Sequence, residues 1–185
     1  MLRHFFSVLV CLKTKNQLIE RLIIMNIPIE IRDAKPSDAS TILHFINELA
    51  IYEKEPNAVK TNEQAILETL FCEGATAHSL ICLQDDQPIG FAVYFYNYST
   101  WLGKNGLYLE DLYVSPDSRG NGAGKAIMKE LANRALKKGC GRFEWVVLDW
   151  NKPAIDFYNS MGAEPQNEWI IYRLTGQALI DFANE

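Results

Sequence analysis

Metal-binding and disulfide signatures are missing. The four cysteines, Cys11, Cys72, Cys82 and Cys140, stand far apart with no C-x-x-C pair, and the three histidines, His4, His44 and His78, are each alone. That pattern supplies neither a metal framework nor a disulfide scaffold, so free thiols in a reducing cytoplasm and no bound metal are expected. Basic side chains are also in deficit, 18 Lys and Arg against 23 Asp and Glu, for a formal charge of -5. The imbalance deepens over 25–185, where 14 basic face 22 acidic residues, a net of -8. Such a field repels phosphate backbones and draws in cations, which disfavours a nucleic-acid partner and favours a cationic amine. No apolar run approaches the roughly 20 residues of a membrane-spanning helix, and no membrane partner is expected. The nearest imitation, residues 5–12 after Arg3, is too short to span and has no small-residue cleavage pattern behind it. Residues 1–24 are therefore read as an extension outside the fold, with Met25 the natural start. Repeats, low-complexity tracts and linkers are absent as well, so the 48% apolar chain is read as one domain over 25–185.

What is present is an alternation of strand and helix patterns. A short strand at 29–32 precedes a helix opened by Pro36 and Asp38, with Ile42, Phe45, Ile46 and Leu49 recurring at i, i+3, i+4 and i+7 and an end near Tyr52. A second helix is expected over 61–71, stopped by Glu73-Gly74. Strands at 78–83 and 88–96 flank the turn residues 84–87 and form a hairpin. Further strands are expected at 107–114, 143–148 and 169–174, with helices at 122–138 and 153–161 between them. The longer of these helices carries Ala123, Ile127, Leu131 and Ala135 on one face and ends in Lys137, Lys138 and Gly139, with cations at the negative end of its dipole. The fold class is α/β: a mixed central sheet of about six to seven strands flanked by helices on both faces.

The most informative stretch runs from the strand Leu107-Tyr108-Leu109-Glu110-Asp111-Leu112-Tyr113-Val114 through Ser115-Pro116-Asp117-Ser118 to Arg119-Gly120-Asn121-Gly122-Ala123-Gly124-Lys125. Strand, glycine loop and helix start follow in succession. Glycines there admit an anion close to the backbone, and a helix start offers unpaired N–H groups with the positive end of a dipole. A pyrophosphate fits. Glycines two apart are not G-x-G-x-x-G, and Ala126 after Lys125 excludes the Walker loop.

The remaining pattern, R-x-x-G-x-G, resembles the coenzyme A pyrophosphate loop of the GNAT superfamily of N-acetyltransferases. Residues 148–163 resemble that superfamily's second cofactor-contacting segment: Asn151, then a short helix carrying Tyr158, then Gly162. Within the superfamily, residues 29–174 are similar to the spermidine/spermine (diamine) acetyltransferase branch, through 48–53, 101–104, 107–111 and 150–158. The chain departs from that branch by one extra residue between Trp101 and Glu110 and by lacking an acidic residue around Ser99-Thr100. The resemblance implies acetyl-CoA as co-substrate, transfer to a primary amine of a small cationic substrate, and a homodimer. It implies cofactor contacts from Leu112, Tyr113, Val114, Arg119, Gly120, Asn121, Gly122, Ala123, Gly124, Lys125, Asn151 and Tyr158. A different amine, such as a lysine analogue, an aminoglycoside or a protein N-terminus, is the alternative, and a non-catalytic acyl-CoA sensor is the rival from another class.

An alkylamine with a pKa near ~10.4 is protonated at pH 7, so freeing its lone pair costs on the order of 4 to 5 kcal/mol. Glu110, in an apolar strand, is expected to be buried and basic enough to accept that proton, directly or through water; the alternative is a structural carboxylate bonded in the core. Regular alternation puts Tyr108, Glu110, Leu112 and Val114 on one face and Leu109, Asp111 and Tyr113 on the other, which separates Glu110 from Asp111. The resemblance further implies that the strand splays from its neighbour so that an N–H near Leu112 meets the oxyanion, that Tyr158 protonates the leaving thiolate, and that Asn151 bonds the pantetheine arm. Tyr52, Glu53, Trp101, Glu110, Asp111, Glu144, Glu168 and Trp169 are candidates for holding the amine, because carboxylates and aromatic faces attract ammonium groups.

Overall fold

The computed structural model describes residues 28–185, so the extension expected at 1–24 lies outside the described residues. The chain divides into one unit that runs through Val146 and a second over Val147–Glu185.

In the first unit five strands, β1 (Ile29–Asp33), β2 (Ala77–Gln84), β3 (Gln87–Ser99), β4 (Lys104–Val114) and β5 (Arg142–Trp145), form one sheet in sequence order. The first four pair antiparallel and β4 pairs parallel with β5, because the long helix α3 (Ala123–Lys137) intervenes as the crossover. The β2–β3 hairpin closes through Asp85 and Asp86 at φ of 53° and 57°, two left-handed residues that match the twist of the flanking strands.

Helices α1 (Ala39–Tyr52) and α2 (Glu63–Leu70) cover one face. Ala39, Ile42, Phe45 and Ile66 bury there against Ile81, Leu83, Phe91, Val93 and Tyr113. The other face belongs to α3, which buries Ile127, Met128 and Leu131 and whose Arg134 donates to the Tyr94 hydroxyl at 3.0 Å. Central strands buried on both faces read as continuous apolar runs rather than alternating ones. The start of α1 is fixed by Asp38, which accepts from Arg32 at 2.7 and 2.9 Å and from the Lys35 amide at 2.7 Å. That bonding holds the Asp38 carboxyl below its usual range.

The second unit contains α4 (Lys152–Ser160) and α5 (Gly176–Ala183). Asn151 caps α4, its Oδ1 accepting from the Ala154 amide at 3.4 Å. Two expectations fail at this end of the chain. Residues 169–174 form no strand. The strand expected at 143–148 stops at Trp145, since its partner β4 bends away one residue past the last pair, Leu109 with Trp145. The sheet therefore has five strands among the described residues instead of six or seven, in the same mixed α/β architecture.

Candidate active site

The bend comes from a β-bulge. Val93 opposes Asp111 and the next residue, Tyr94, opposes Leu109, so Glu110 is an extra residue without an opposite number. Regular alternation is thereby corrected. Leu109 and Leu112 both fall on the α3 face, while Tyr108, Asp111 and Tyr113, opposite Phe95, Val93 and Phe91, share the α1 face. Glu110 itself is exposed, not buried as its apolar neighbours suggested, because the bulge turns it out of the pleat. It also stays close enough to Asp111 for their charges to interact.

Among the described residues, β4 past the bulge is paired as a strand with β3 alone. The Ser115 amide donates to the Ile89 carbonyl at 2.8 Å, which fixes the phase of the ladder: Tyr113 and Asp111 aim their amides at β3, and the alternate residues Leu112 and Val114 aim theirs at the open edge. Pairing between β4 and β5 ends at Leu109 with Trp145, and the Leu112 N–H lies on the side of β4 away from β3.

At the end of β4 the chain enters the glycine loop. Gly120 and Gly122 have φ of +79° and +96°, and a Cβ on either would meet nothing within 4 Å, so both turns are left-handed and open outward. Gly122 is the N-cap of α3. The amides of Ala123, Gly124 and Lys125 precede the first intrahelical bond, Ala126 N–H to Gly122 O at 2.9 Å. Asn121 Oδ1 takes the Ala123 amide at 3.0 Å, and those of Gly124 and Lys125 face out of the helix end. Backbone donors on an open strand edge and at a helix start together suit a carbonyl and a pyrophosphate on one extended ligand. The residues present therefore fit coenzyme A. Among the described residues no group of His, Cys, Asp and Glu is arranged to hold a metal.

Arg119 does not point away to meet an anion. Its Nε donates to the Val114 carbonyl at 2.8 Å, and its guanidinium lies over the rings of Tyr52 and Tyr113 at 4.8 and 5.6 Å. It thereby ties the loop to the C-terminal end of α1. Next to Tyr52, Glu53 is partly buried, and burial raises its carboxyl above the usual range. Asp111 is pushed up to about 6, first by burial and then by the charges of Glu110 and Glu53. The Tyr113 hydroxyl donates to Glu48 Oε2 at 3.4 Å, and burial together with that carboxylate raises the phenol. Glu53 and Glu110 thus both act electrostatically on Asp111, an acidic locality at the bulge in β4. A cation is the ligand that would relieve it.

Two other amine candidates of the first unit lie away from this locality. Glu144 accepts from Asn97 Nδ2 at 3.1 Å and lies 2.8 Å from Arg142 Nε, so its charge already has partners. Trp101 is 87% exposed in the β3–β4 turn, roughly 20 Å along β4 from Asp111 at strand spacing. In the second unit Glu168 and Trp169 are exposed, and the Tyr158 ring rests against Phe157 with centroids 5.4 Å apart. The glycine pattern and the carboxylates were visible in the sequence. The part played by Gln84, whose Oε1 accepts from Asn121 Nδ2 at 2.9 Å, was not, since a lone Gln at a strand end carries no signal.

A family model described as acetyltransferase (GNAT) family matches residues 45–163. The thialysine N-epsilon-acetyltransferase of Sus scrofa is 41% identical over 166 residues, which covers 84% of this chain and 97% of that protein. The spermidine/spermine N(1)-acetyltransferase-like protein 1 of Homo sapiens is 32% identical over 84% of this chain and 24% of its own length. Among solved structures, an integron cassette protein from the mobile metagenome of V. cholerae superposes with a TM-score of 0.73 at 28% identity, covering 85% of this chain and 98% of that one.

Proposed function

The chain belongs to the acetyltransferase (GNAT) family, and from that premise we propose that it moves the acetyl group of acetyl-CoA to a primary amine of a small cationic substrate of the diamine or polyamine kind. The observation that carries the reading is the acidic locality of Glu53, Glu110 and Asp111 next to strand-edge amides at Leu112 and Val114. The amine nitrogen attacks the thioester carbon, and its proton leaves to Glu110 through water. The Leu112 N–H meets the developing oxyanion, a donor position worth about 3 to 4 kcal/mol where such donors have been removed. Collapse breaks the carbon–sulfur bond, and Tyr158 gives the departing thiolate its proton. Asn151 bonds the pantetheine arm.

The thialysine enzyme at 41% identity favours a second reading, a lysine analogue whose side-chain amine is acetylated. A second ammonium would suit the acidic locality better than an amino-acid carboxylate. Thiol release from acetyl-CoA, measured over putrescine, spermidine, thialysine and lysine, separates the two: a diamine is expected to give the highest kcat/KM, and a clear preference for thialysine would replace the diamine reading. The homodimer that the resemblance implies is part of the proposal, and light scattering at twice the 21.1 kDa chain mass would support it.

Titrating coenzyme A into the protein is expected to release heat with one site per chain, and an absence of heat would remove the reading altogether. Gly122→Ala probes the loop. Its methyl has room, but a φ of +96° strains an L residue by about 1 to 2 kcal/mol. The loop relieves that strain by shifting, so coenzyme A affinity is expected to drop about tenfold, while the melting temperature falls by less than about 8 °C.

A further inference from the structure

We infer that Gln84 and Asn121 act as a pair of positioning residues that hold the glycine loop ready for the pyrophosphate, an inference that rests on the acetyl-CoA reading and extends it to Asn121, at an unspecified position of the R-x-x-G-x-G pattern, and to Gln84 outside it. Asn121 sits between the two left-handed glycines of the loop, and its side chain is bonded at both ends. Nδ2 donates to Gln84 Oε1 at 2.9 Å, and Oδ1 accepts from the Ala123 amide at 3.0 Å. Gln84 is the last residue of β2 and only 6% exposed, so the anchor belongs to the rigid sheet and not to the loop.

Two consequences follow from elementary energetics. A segment containing Gly120 and Gly122 has many backbone states, and fixing each residue costs about 1 to 2 kcal/mol. A tether made before the ligand arrives removes part of that cost from the binding step. The second consequence is directional: because Asn121 occupies the Ala123 amide, the donors left at the helix start are those of Gly124 and Lys125, which fixes where the anion lies.

Gln84→Met keeps the side-chain length and removes the acceptor; Asn121→Ala removes the bridge. Each is assayed with acetyl-CoA and with S-acetylpantetheine, which carries the thioester and no pyrophosphate. With acetyl-CoA both variants are expected to show KM raised about tenfold and kcat within twofold. With S-acetylpantetheine kcat/KM is expected to change less than twofold. The double variant is expected to be no worse than either single one, because both break the same link. Equal losses with the two thioesters would mark a general structural role and overturn the inference, as would an unchanged KM for acetyl-CoA. Calorimetry separates the levels: no coenzyme A binding by the unmodified protein removes the acetyl-CoA reading and this inference with it, whereas normal binding alongside unchanged variants removes the inference alone.

Discussion

Tyr158→Phe is expected to lower kcat by about a hundredfold while leaving KM for acetyl-CoA and for the amine within about threefold. The size follows from the leaving group. General acids contribute on the order of 10²- to 10⁴-fold, and the low end applies because a thiol with a pKa near ~8.5 departs as a fairly stable anion, which water can protonate afterwards. The substitution removes one hydroxyl and keeps the ring whose centroid lies 5.4 Å from that of Phe157. Thermal unfolding measured beside the kinetics separates a loss of rate from a loss of fold. Tyr158 lies in the last turn of α4, and the other end of that helix is fixed by the Asn151 cap. Weakening that cap by Asn151→Ala should cost about 1 kcal/mol of stability, which distinguishes the two positions. A kcat for Tyr158→Phe within threefold of the unmodified enzyme would remove the tyrosine from the proton path.

How far the sequence foretold this site depends on the kind of signal each part carried. The loop was legible because left-handed turns need glycine, so Gly120 and Gly122 announce backbone geometry directly. Helices α1 and α3 were legible because each buries one stripe, giving Ile42, Phe45, Ile127 and Leu131 their helical spacing. The hairpin turn at Asp85 and Asp86 was legible for a similar reason, a polar cluster between two apolar runs. The bulge at Glu110 was not. Leu107, Leu109 and Tyr113 are all buried in a strand covered on both faces, so the pattern has no polar phase to slip, and one inserted residue leaves no trace. The assignment of faces in β4, the exposure of Glu110 and the early end of β5 all follow from that one residue. Helix α5 was missed because Gly176 at its first position disguises the run containing Leu179, Ile180 and Phe182.

Asp111→Asn is expected to make the protein more stable and the enzyme worse. The carboxyl is pushed from 3.8 to about 6 by burial first, then by Glu110 and Glu53. An acid whose folded pKa is raised binds its proton more tightly in the native state than in the unfolded one. Native stability from this group is therefore fully present below about pH 4 and is lost as pH rises through about 6. Two pKa units correspond to about 3 kcal/mol at most, and solvent access to a partly buried group reduces that to about 1 to 2 kcal/mol. Asn keeps the shape and carries no charge, so urea unfolding at pH 7.5 should show the variant more stable by that amount, with the difference vanishing toward pH 4. Amine binding runs the other way. An ammonium close to Asp111 gains from the ionised carboxylate, so the unmodified enzyme's KM for the amine should rise as pH falls below 6, and the variant's should be roughly tenfold higher at pH 7.5 and insensitive to pH in that range. The same charge that destabilises the ligand-free protein is thus the one that selects a cation. A variant with unchanged stability and unchanged amine KM would show that Asp111 is neither strained nor in the amine site, and the acidic locality would lose its claim to the substrate.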